Sequence, residues 1–229
     1  MTLVATAVAI VLLYLLFRDF QRRRAAVREE PGKLFAAIIP MLEGATLHAG
    51  EAAGMHRLEG SYQGHAVSVR TVADTLALRK LPSLWLMVTL VREQPFAGTF
   101  DLMMRPAGPT TFSNFDFLPQ TIATPPGFPE DAMLRSDDPA NMLPLAVAAA
   151  HVPALFADPR MKELLVTPKG IRLVRQMAEG DRARYGVFRQ ADFGGAAVDP
   201  HLLRGMLDSL IALQHDIDRQ HPQRGPVND

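Results

Sequence analysis

The sequence predicts an α+β protein in which an N-terminal transmembrane helix precedes a mainly antiparallel sheet with helices packed on one face. Three observations carry this prediction. Residues 1–17 form an almost unbroken apolar run. Short segments of alternating or continuous apolar residues follow, separated by Gly and Pro, which is typical of strands. A stripe from Leu203 to Ile217 then recurs at helical spacing, which indicates a helix with one buried face.

The apolar run at residues 1–17 predicts a membrane anchor. Its length lies at the lower edge of the ~17–25 residues with which a helix spans a bilayer. No Lys or Arg precedes the run and its small residues lie at its start, so the pattern favours an uncleaved anchor over a signal peptide. Five arginines follow it and are the candidate membrane-surface contacts: Arg18, Arg22, Arg23, Arg24 and Arg28. Because arginines stay on the cytoplasmic side, we expect the N-terminus outside and the domain in the cytoplasm.

Composition limits the domain organisation and the classes of function that the rest of the chain can have. The predicted division is an anchor at 1–17, a basic juxtamembrane segment at 18–32, a globular α+β domain at 33–220 and a flexible tail at 221–229. The 229 residues carry a formal net charge of zero, and the globular part has no long basic stripe, so nucleic acid is not an expected partner. The absence of cysteine excludes disulfides, thiolate metal sites and cysteine nucleophiles.

The first half of the globular region predicts one short helix and four strands. Helical spacing indicates a helix over Lys33–Leu42, which Pro40 kinks or ends. Two strands between Leu58 and Val72 join near Gln63-Gly64, where Gly allows a tight hairpin turn. A third strand is predicted at Leu84–Val91 and a fourth at Thr99–Met104. Their short connections predict an antiparallel meander.

The second half predicts a helix, strands and a final helix. A short strand at Met133–Arg135 comes first, and Asp138-Pro139 then has the form of a helix start. The helical segment reaches Phe156 and is broken or kinked at Pro144 and Pro153. The final helix opens with a second such pair, Asp199-Pro200. Two or three further strands are predicted between the two helices, at Glu163–Val166, Gly170–Val174 and Tyr185–Arg189.

Residues 106–131 form a long connection rich in proline and phenylalanine. Six prolines interrupt regular structure, while Phe112, Phe115, Phe117 and Phe128 lie between them. Disordered segments are poor in aromatic residues, so this loop is expected to be ordered. It either wraps the core with its Phe side chains as anchors, covers an apolar pocket as a lid, or forms a partner-binding surface.

The candidates for chemistry are few. Asp116 lies between two Phe residues, and burial there would raise its pKa as in many catalytic acids. A hairpin could bring His56 and His65 together near His48, but no third ligand at zinc spacing follows, so no metal is predicted. Asp192-Phe193-Gly194 matches a kinase triplet without the rest of the kinase signature. No nucleophile elbow, phosphate loop or dinucleotide motif is present, and no cofactor is expected.

These observations leave three hypotheses for function. The first is a non-catalytic, single-pass, membrane-anchored cytoplasmic domain that contacts lipid through its anchor and binds another protein at the membrane. The second is a binder of an apolar ligand or lipid beneath the loop at 106–131. The third is an enzyme that uses Asp116 or the early histidines. A filled core with an exposed apolar patch would favour the first hypothesis, and a large dry cavity under the loop would favour the second.

Overall fold

The computed structural model describes residues 14–15, 18, 32–48, 56–74, 81–180, 193 and 195–221. The anchor predicted over 1–17 lies almost wholly outside this part of the chain, as do Arg22, Arg23, Arg24 and Arg28, the strand predicted at Tyr185–Arg189 and two residues of the Asp192-Phe193-Gly194 triplet. Of the candidate membrane contacts, Arg18 is described, and it is helical and exposed. No helix within the described ranges is both long and apolar enough to cross a bilayer. The anchor therefore stays a prediction from sequence.

A nine-stranded open sheet forms the body of the protein, in the order β1-β2-β3-β4-β9-β8-β5-β7-β6, and each neighbouring pair is antiparallel. The α+β class and the mainly antiparallel sheet are thus confirmed. The strands are β1 (Glu43–His48), β2 (His56–Tyr62), β3 (His65–Asp74), β4 (Ser83–Val91), β5 (Phe100–Met104), β6 (Gln120–Ile122), β7 (Ala132–Ser136), β8 (Met161–Thr167) and β9 (Gly170–Glu179).

Two helices lie on one side of this sheet, which we call the helix face. Helix α1 (Leu145–Leu155) packs against α2 (Pro200–Gln220), and α2 contacts β4 and β9. Asp199 caps α2 because its side chain accepts a hydrogen bond from the His201 N–H at 2.9 Å, and Pro200 occupies the first turn. The predicted start and apolar stripe of this helix are confirmed. Its buried residues join the inward side chains of the strands in the main hydrophobic core.

The β2–β3 hairpin is also confirmed. Gln63 and Gly64 form its two-residue turn, with φ angles of 50° and 78°. Positive φ at both turn residues matches the twist of the strands that they join, and Gly accepts it without a steric cost. The predicted helix near residue 33 is shorter than expected: residues 32–35 are helical and Ile39–Met41 form a 3₁₀ turn that includes Pro40.

The predicted meander of four strands is wrong at its last step. Strand β5 does not pair with β4, because the β8–β9 hairpin lies between them. The connection from Val91 to Phe100 crosses this hairpin, and Gln94 N–H donates to the Pro168 carbonyl at 2.9 Å in its turn. A pairing between strands some 80 residues apart leaves no local signal in the sequence.

The predicted helix start at Asp138-Pro139 is also wrong, because α1 begins at Leu145 after Pro144. Residues 137–141 are held instead by the connection between β4 and β5. Asp137 accepts a hydrogen bond from Thr99 N–H at 2.6 Å, and Gly98 N–H donates to the Asn141 carbonyl at 3.0 Å. A Cβ on Gly98 would lie 2.2 Å from the Asp138 carbonyl oxygen, so only glycine allows this close approach.

Candidate functional site

The opposite side of the sheet, which we call the loop face, is partly covered by the Phe-rich loop. Strand alternation places Trp85 and Met87 on this face, opposite in register to Val72 and Arg70 of β3. Phe112 and Phe115 pack there into a small second hydrophobic cluster, with Trp85 at its margin. The other buried members of this cluster are Val72, Met87, Met103 and Val174. The ring centroids of Trp85 and Phe112 lie 4.9 Å apart at a tilt of 47°.

Polar contacts hold the turn that follows Phe112. The 3₁₀ turn Phe115–Phe117 begins where Phe115 N–H donates to Ser113 Oγ at 3.1 Å. Arg135 of β7 lies over the Phe115 ring, with Cζ 5.2 Å from the centroid. Its Nη1 also donates to the Asp116 carbonyl at 3.1 Å and to the Leu118 carbonyl at 3.4 Å. The backbone on both sides of Phe117 is therefore fixed to the sheet.

The four phenylalanines of the loop have three different environments. Phe112 and Phe115 are buried on the loop face, whereas Phe128 is buried in the main core on the helix face. Phe117 is 80% exposed. Three of the side chains thus anchor the loop, as one of the interpretations predicts, and the fourth points to solvent on a turn that its neighbours hold in place.

Asp116 is exposed, so the burial that made it a candidate acid is absent. The buried carboxyl groups lie instead at Asp101 of β5 and Glu163 of β8, which are 2% and 0% exposed beneath the loop. Ser113 Oγ donates to Asp101 Oδ2 at 3.5 Å, and Arg172 Nη2 of β9 donates to Glu163 Oε2 at 3.2 Å. Burial raises the pKa of Asp101 well above its usual range, and the negative charge of Glu163 raises it further.

The pKa of Glu163 is also shifted by its surroundings. Burial raises its pKa, although the charge of Arg172 opposes this shift.

Several buried polar atoms on the loop face have no hydrogen-bond partner among the described residues: Trp85 Nε1, Asp101 Oδ1, Arg135 Nε, Glu163 Oε1 and Arg172 Nε. A buried polar layer in which some hydrogen bonds are not made contributes less to the stability of the fold than the apolar core on the helix face.

Asp101 and Glu163 are not identifiable as site residues from the sequence. Both occupy strands whose other residues are largely apolar, at positions that alternation assigns to the side away from the helices. Strand residues on the side away from the helices are expected to be exposed. Asp101 and Glu163 are buried because the Phe-rich loop covers that side. Each is the single acidic residue of its strand, which is a signal in the sequence. Nothing in the neighbouring residues distinguishes a buried acidic residue of this kind from a solvent-exposed one.

The early histidines do not converge. His56 lies opposite Thr71 and His65 lies opposite Tyr62, so the two occupy opposite ends of the hairpin. Six residues along a strand separate them by roughly 20 Å. His48 instead approaches Glu59, with Nε2 3.1 Å from Oε2. Within the described residues, no group of three or more His, Asp or Glu side chains is placed to hold a metal ion.

A shallow pocket of about 570 Å³ lies between α1 and the C-terminal half of α2. Its charged groups are already paired with one another. His151 Nε2 lies 2.8 Å from Asp216 Oδ2, and Arg219 also contacts Asp216. Arg92 of the β4–β5 connection forms two hydrogen bonds with Asp218, at 2.8 and 3.0 Å. These contacts tie the two helices to the sheet and account for the polarity of the pocket.

Comparisons with known proteins add little to this description. No protein-family model matches the chain, and no curated protein matches it. Among solved structures, the chain is similar to the crystal structure of the mycobacterial trehalose monomycolate transport factor A, TtfA. The two share 8% sequence identity over 86% of this chain and 94% of that chain, with a TM-score of 0.37. A likeness of this extent gives no basis for transferring a function.

Proposed function

We propose that this protein is a non-catalytic binding domain that presents Phe117 to a protein partner at the cytoplasmic surface of a membrane. The single observation that carries the proposal is the contrast between Phe115, which is 2% exposed, and Phe117, which is 80% exposed on the same short turn. The anchor and the cytoplasmic location in this proposal rest on residues 1–17 and the arginines that follow them.

The physical chemistry of the turn suits binding. Burying a large apolar side chain at an interface contributes roughly 1.5–3 kcal/mol, and aromatic residues are enriched at the centres of interfaces. Arg135 and Ser113 already fix the backbone around Phe117. A partner would therefore meet a preorganised side chain, so less conformational entropy is lost on binding.

Two observations support a protein partner over an apolar ligand beneath the loop. Phe112 and Phe115 themselves pack against Trp85, Met87 and Val174, so the loop covers the sheet with its own side chains. The remaining groups beneath it include the buried carboxyls of Asp101 and Glu163, and a polar lining of this kind does not suit an acyl chain.

Co-purification of the full-length protein from its own host tests the proposal. We expect Phe117→Ser to reduce the amount of a specific co-purifying protein about tenfold or more, because loss of a central aromatic contact typically costs 2 kcal/mol or more in binding. Val91→Ser is the matched control, since Val91 is also an exposed apolar residue, at 50%, but lies at the end of β4. Equal recovery of the same proteins with wild type and Phe117→Ser would contradict the proposal.

A further inference from the structure

Arg70 is an unbalanced cation on the open part of the loop face. It lies on β3, is exposed, and stands directly opposite Arg57 of β2 in the strand register. Like charges at directly opposite positions of an antiparallel pair destabilise the sheet. Both side chains point to the loop face, because Arg70 alternates with Val69 and Thr71, which are buried on the helix side of the strand.

The neighbouring cations have counter-ions, and Arg70 has none among the described residues. Arg57 Nε lies 3.2 Å from Glu59 Oε1, and the other oxygen of Glu59 approaches His48. Arg172 is paired with the buried Glu163. Partial burial lowers the pKa of Arg70, and the positive charges of Arg57 and Arg172 lower it further. The surroundings of Arg70 therefore disfavour its charge in the free protein.

Two hydroxyl residues are near Arg70 in the strand register, and of these Ser68 is buried. Ser68 precedes Arg70 on the same face of β3, and Thr89 of β4 lies directly opposite Ser68. Arg57 and Arg70 are both exposed, so an anion bound there would stay accessible to solvent. An exposed pair of cations on a sheet surface suits an anionic group that a larger molecule carries.

We propose that Arg70, flanked by Arg57, Ser68 and Thr89, binds a carboxylate side chain in an acidic segment of the protein partner. This inference rests on the proposed function and names the chemistry of that partner. The planar guanidinium of Arg70 has five N–H donors, and two of them match the two oxygens of one carboxylate. The incoming negative charge would also offset the repulsion between Arg70 and Arg57.

The distance between Arg70 and the Phe117 turn decides whether one partner can contact both. Five strand-to-strand steps separate β3 from β7, whose Arg135 holds the Phe117 turn. At about 4.8 Å per step this distance is roughly 24 Å. A standard interface of about 800 Å² on each partner extends this far, so one partner can contact both places.

A titration of the full-length protein in detergent with a hexaglutamate peptide tests the site directly. We expect the backbone amide resonances of Ser68, Arg70 and Thr89 to shift at constant ionic strength, and the apparent affinity to fall about fivefold or more in Arg70→Gln. Lys169→Gln is the control, because Lys169 is an exposed cation in the β8–β9 turn, and it should titrate like wild type. Inorganic phosphate at equal charge concentration is the second probe.

Each outcome decides the matter. Shifts with hexaglutamate that depend on Arg70 and exceed those with phosphate support the proposal. Equal shifts with phosphate would make this a site for small anions and overturn the acidic segment, and no shift with either probe would overturn the site. Because removal of an unbalanced charge should not unfold the protein, Arg70→Gln is expected to melt at the same temperature as wild type or higher.

Co-purification from the host separates this inference from the function on which it rests. If Phe117→Ser loses the partner and Arg70→Glu retains it in full, the protein-binding function stands and the acidic segment is wrong. If hexaglutamate binds through Arg70 while Phe117→Ser changes no co-purifying protein, the anion site stands and the proposed function fails. Loss of the same protein in both variants supports both statements.

Discussion

Asp101 and Glu163 define the chemistry of the loop face at the scale of single residues. Each carboxyl is buried in a strand, and the charge of Arg172 reaches Glu163 directly but Asp101 only from further away. A buried carboxyl without an adjacent cation is more stable as the neutral acid, which explains why the pKa of Asp101 rises well above its usual range.

The first prediction concerns the pH dependence of stability. The raised pKa means that folded Asp101 holds a proton at pH values where the unfolded chain, with its ordinary value of 3.8, has lost it. The contribution of Asp101 to the free energy of unfolding therefore falls as pH rises above 3.8 towards the raised pKa. Asp101→Asn should remove this decline, so urea unfolding at pH 5 and pH 8 should give a smaller difference than in wild type.

Glu163 also has a raised pKa and contributes a decline of the same sign, so the test is the decrease in the pH 5 to pH 8 difference on replacing Asp101, whereas two other carboxyls act at lower pH. Asp137 and Asp158 have lowered pKa values, since backbone N–H groups and, for Asp158, Arg175 stabilise their charged forms. Their contribution is complete above 3.8 and is lost only at lower pH. An unchanged difference between pH 5 and pH 8 in Asp101→Asn would show that Asp101 is ionised in the folded protein.

At this scale the sequence predicts apolar positions better than polar ones. Phe112, Phe115 and Phe128 are buried, as the interpretation of the loop as an anchored segment requires. Asp116 is exposed, although two Phe residues flank it, because the 3₁₀ turn directs Phe115 into the loop face and both Asp116 and Phe117 to solvent. Neighbours in sequence therefore did not identify the buried carboxyls, which depend on contacts between β5, β8 and a loop distant from both.

At the scale of elements, the Phe-rich loop is held by side chains that enter the loop face. Phe112 packs on Trp85, while Phe115 packs beneath the Arg135 guanidinium. Ser113 links the loop backbone to Asp101. The loop thus has a small core of its own, separate from the core under the helices.

Two substitutions in one turn test this description. Phe115→Ala should lower the free energy of unfolding by roughly 3–4 kcal/mol, because it leaves a cavity under the loop. Phe117→Ala, two residues away, should change it by less than about 0.5 kcal/mol, since this side chain is already in solvent. Urea unfolding of the full-length protein measures both. Comparable losses from the two variants would mean that Phe117 packs against the domain.

Local signals in the sequence were sufficient for some elements and insufficient for others. The β2–β3 hairpin and helix α2 follow from a Gly turn and an Asp-Pro cap, both of which act over a few residues. Strands β1 and β6 do not follow from local signals, because both lie at the edges of the sheet with a single neighbour and neither shows a long apolar alternation; β6 is also only three residues long. The start of α1 was misplaced because Asp137 binds Thr99, a partner 38 residues away.

In the molecule as a whole, the two faces of the sheet differ in the residues that they carry. The helix face carries the main core, with α1, α2 and Phe128 packed on it. The loop face carries the small aromatic cluster, and the exposed Arg57 and Arg70 lie beside this cluster on β2 and β3. The strand order that creates this second face could not be derived from sequence, since β8 and β9 enter between β4 and β5 through long-range pairing.

Photo-crosslinking in the host shows whether a protein partner contacts Phe117. A benzophenone side chain replaces Phe117 in the full-length protein, and the same group replaces Val91 as the control. We expect illumination to yield a covalent adduct of one defined mass with a protein at position 117, and we expect this adduct to be absent at position 91. An adduct with lipid alone at position 117, or no adduct there, would contradict the claim that this turn presents Phe117 to a protein partner.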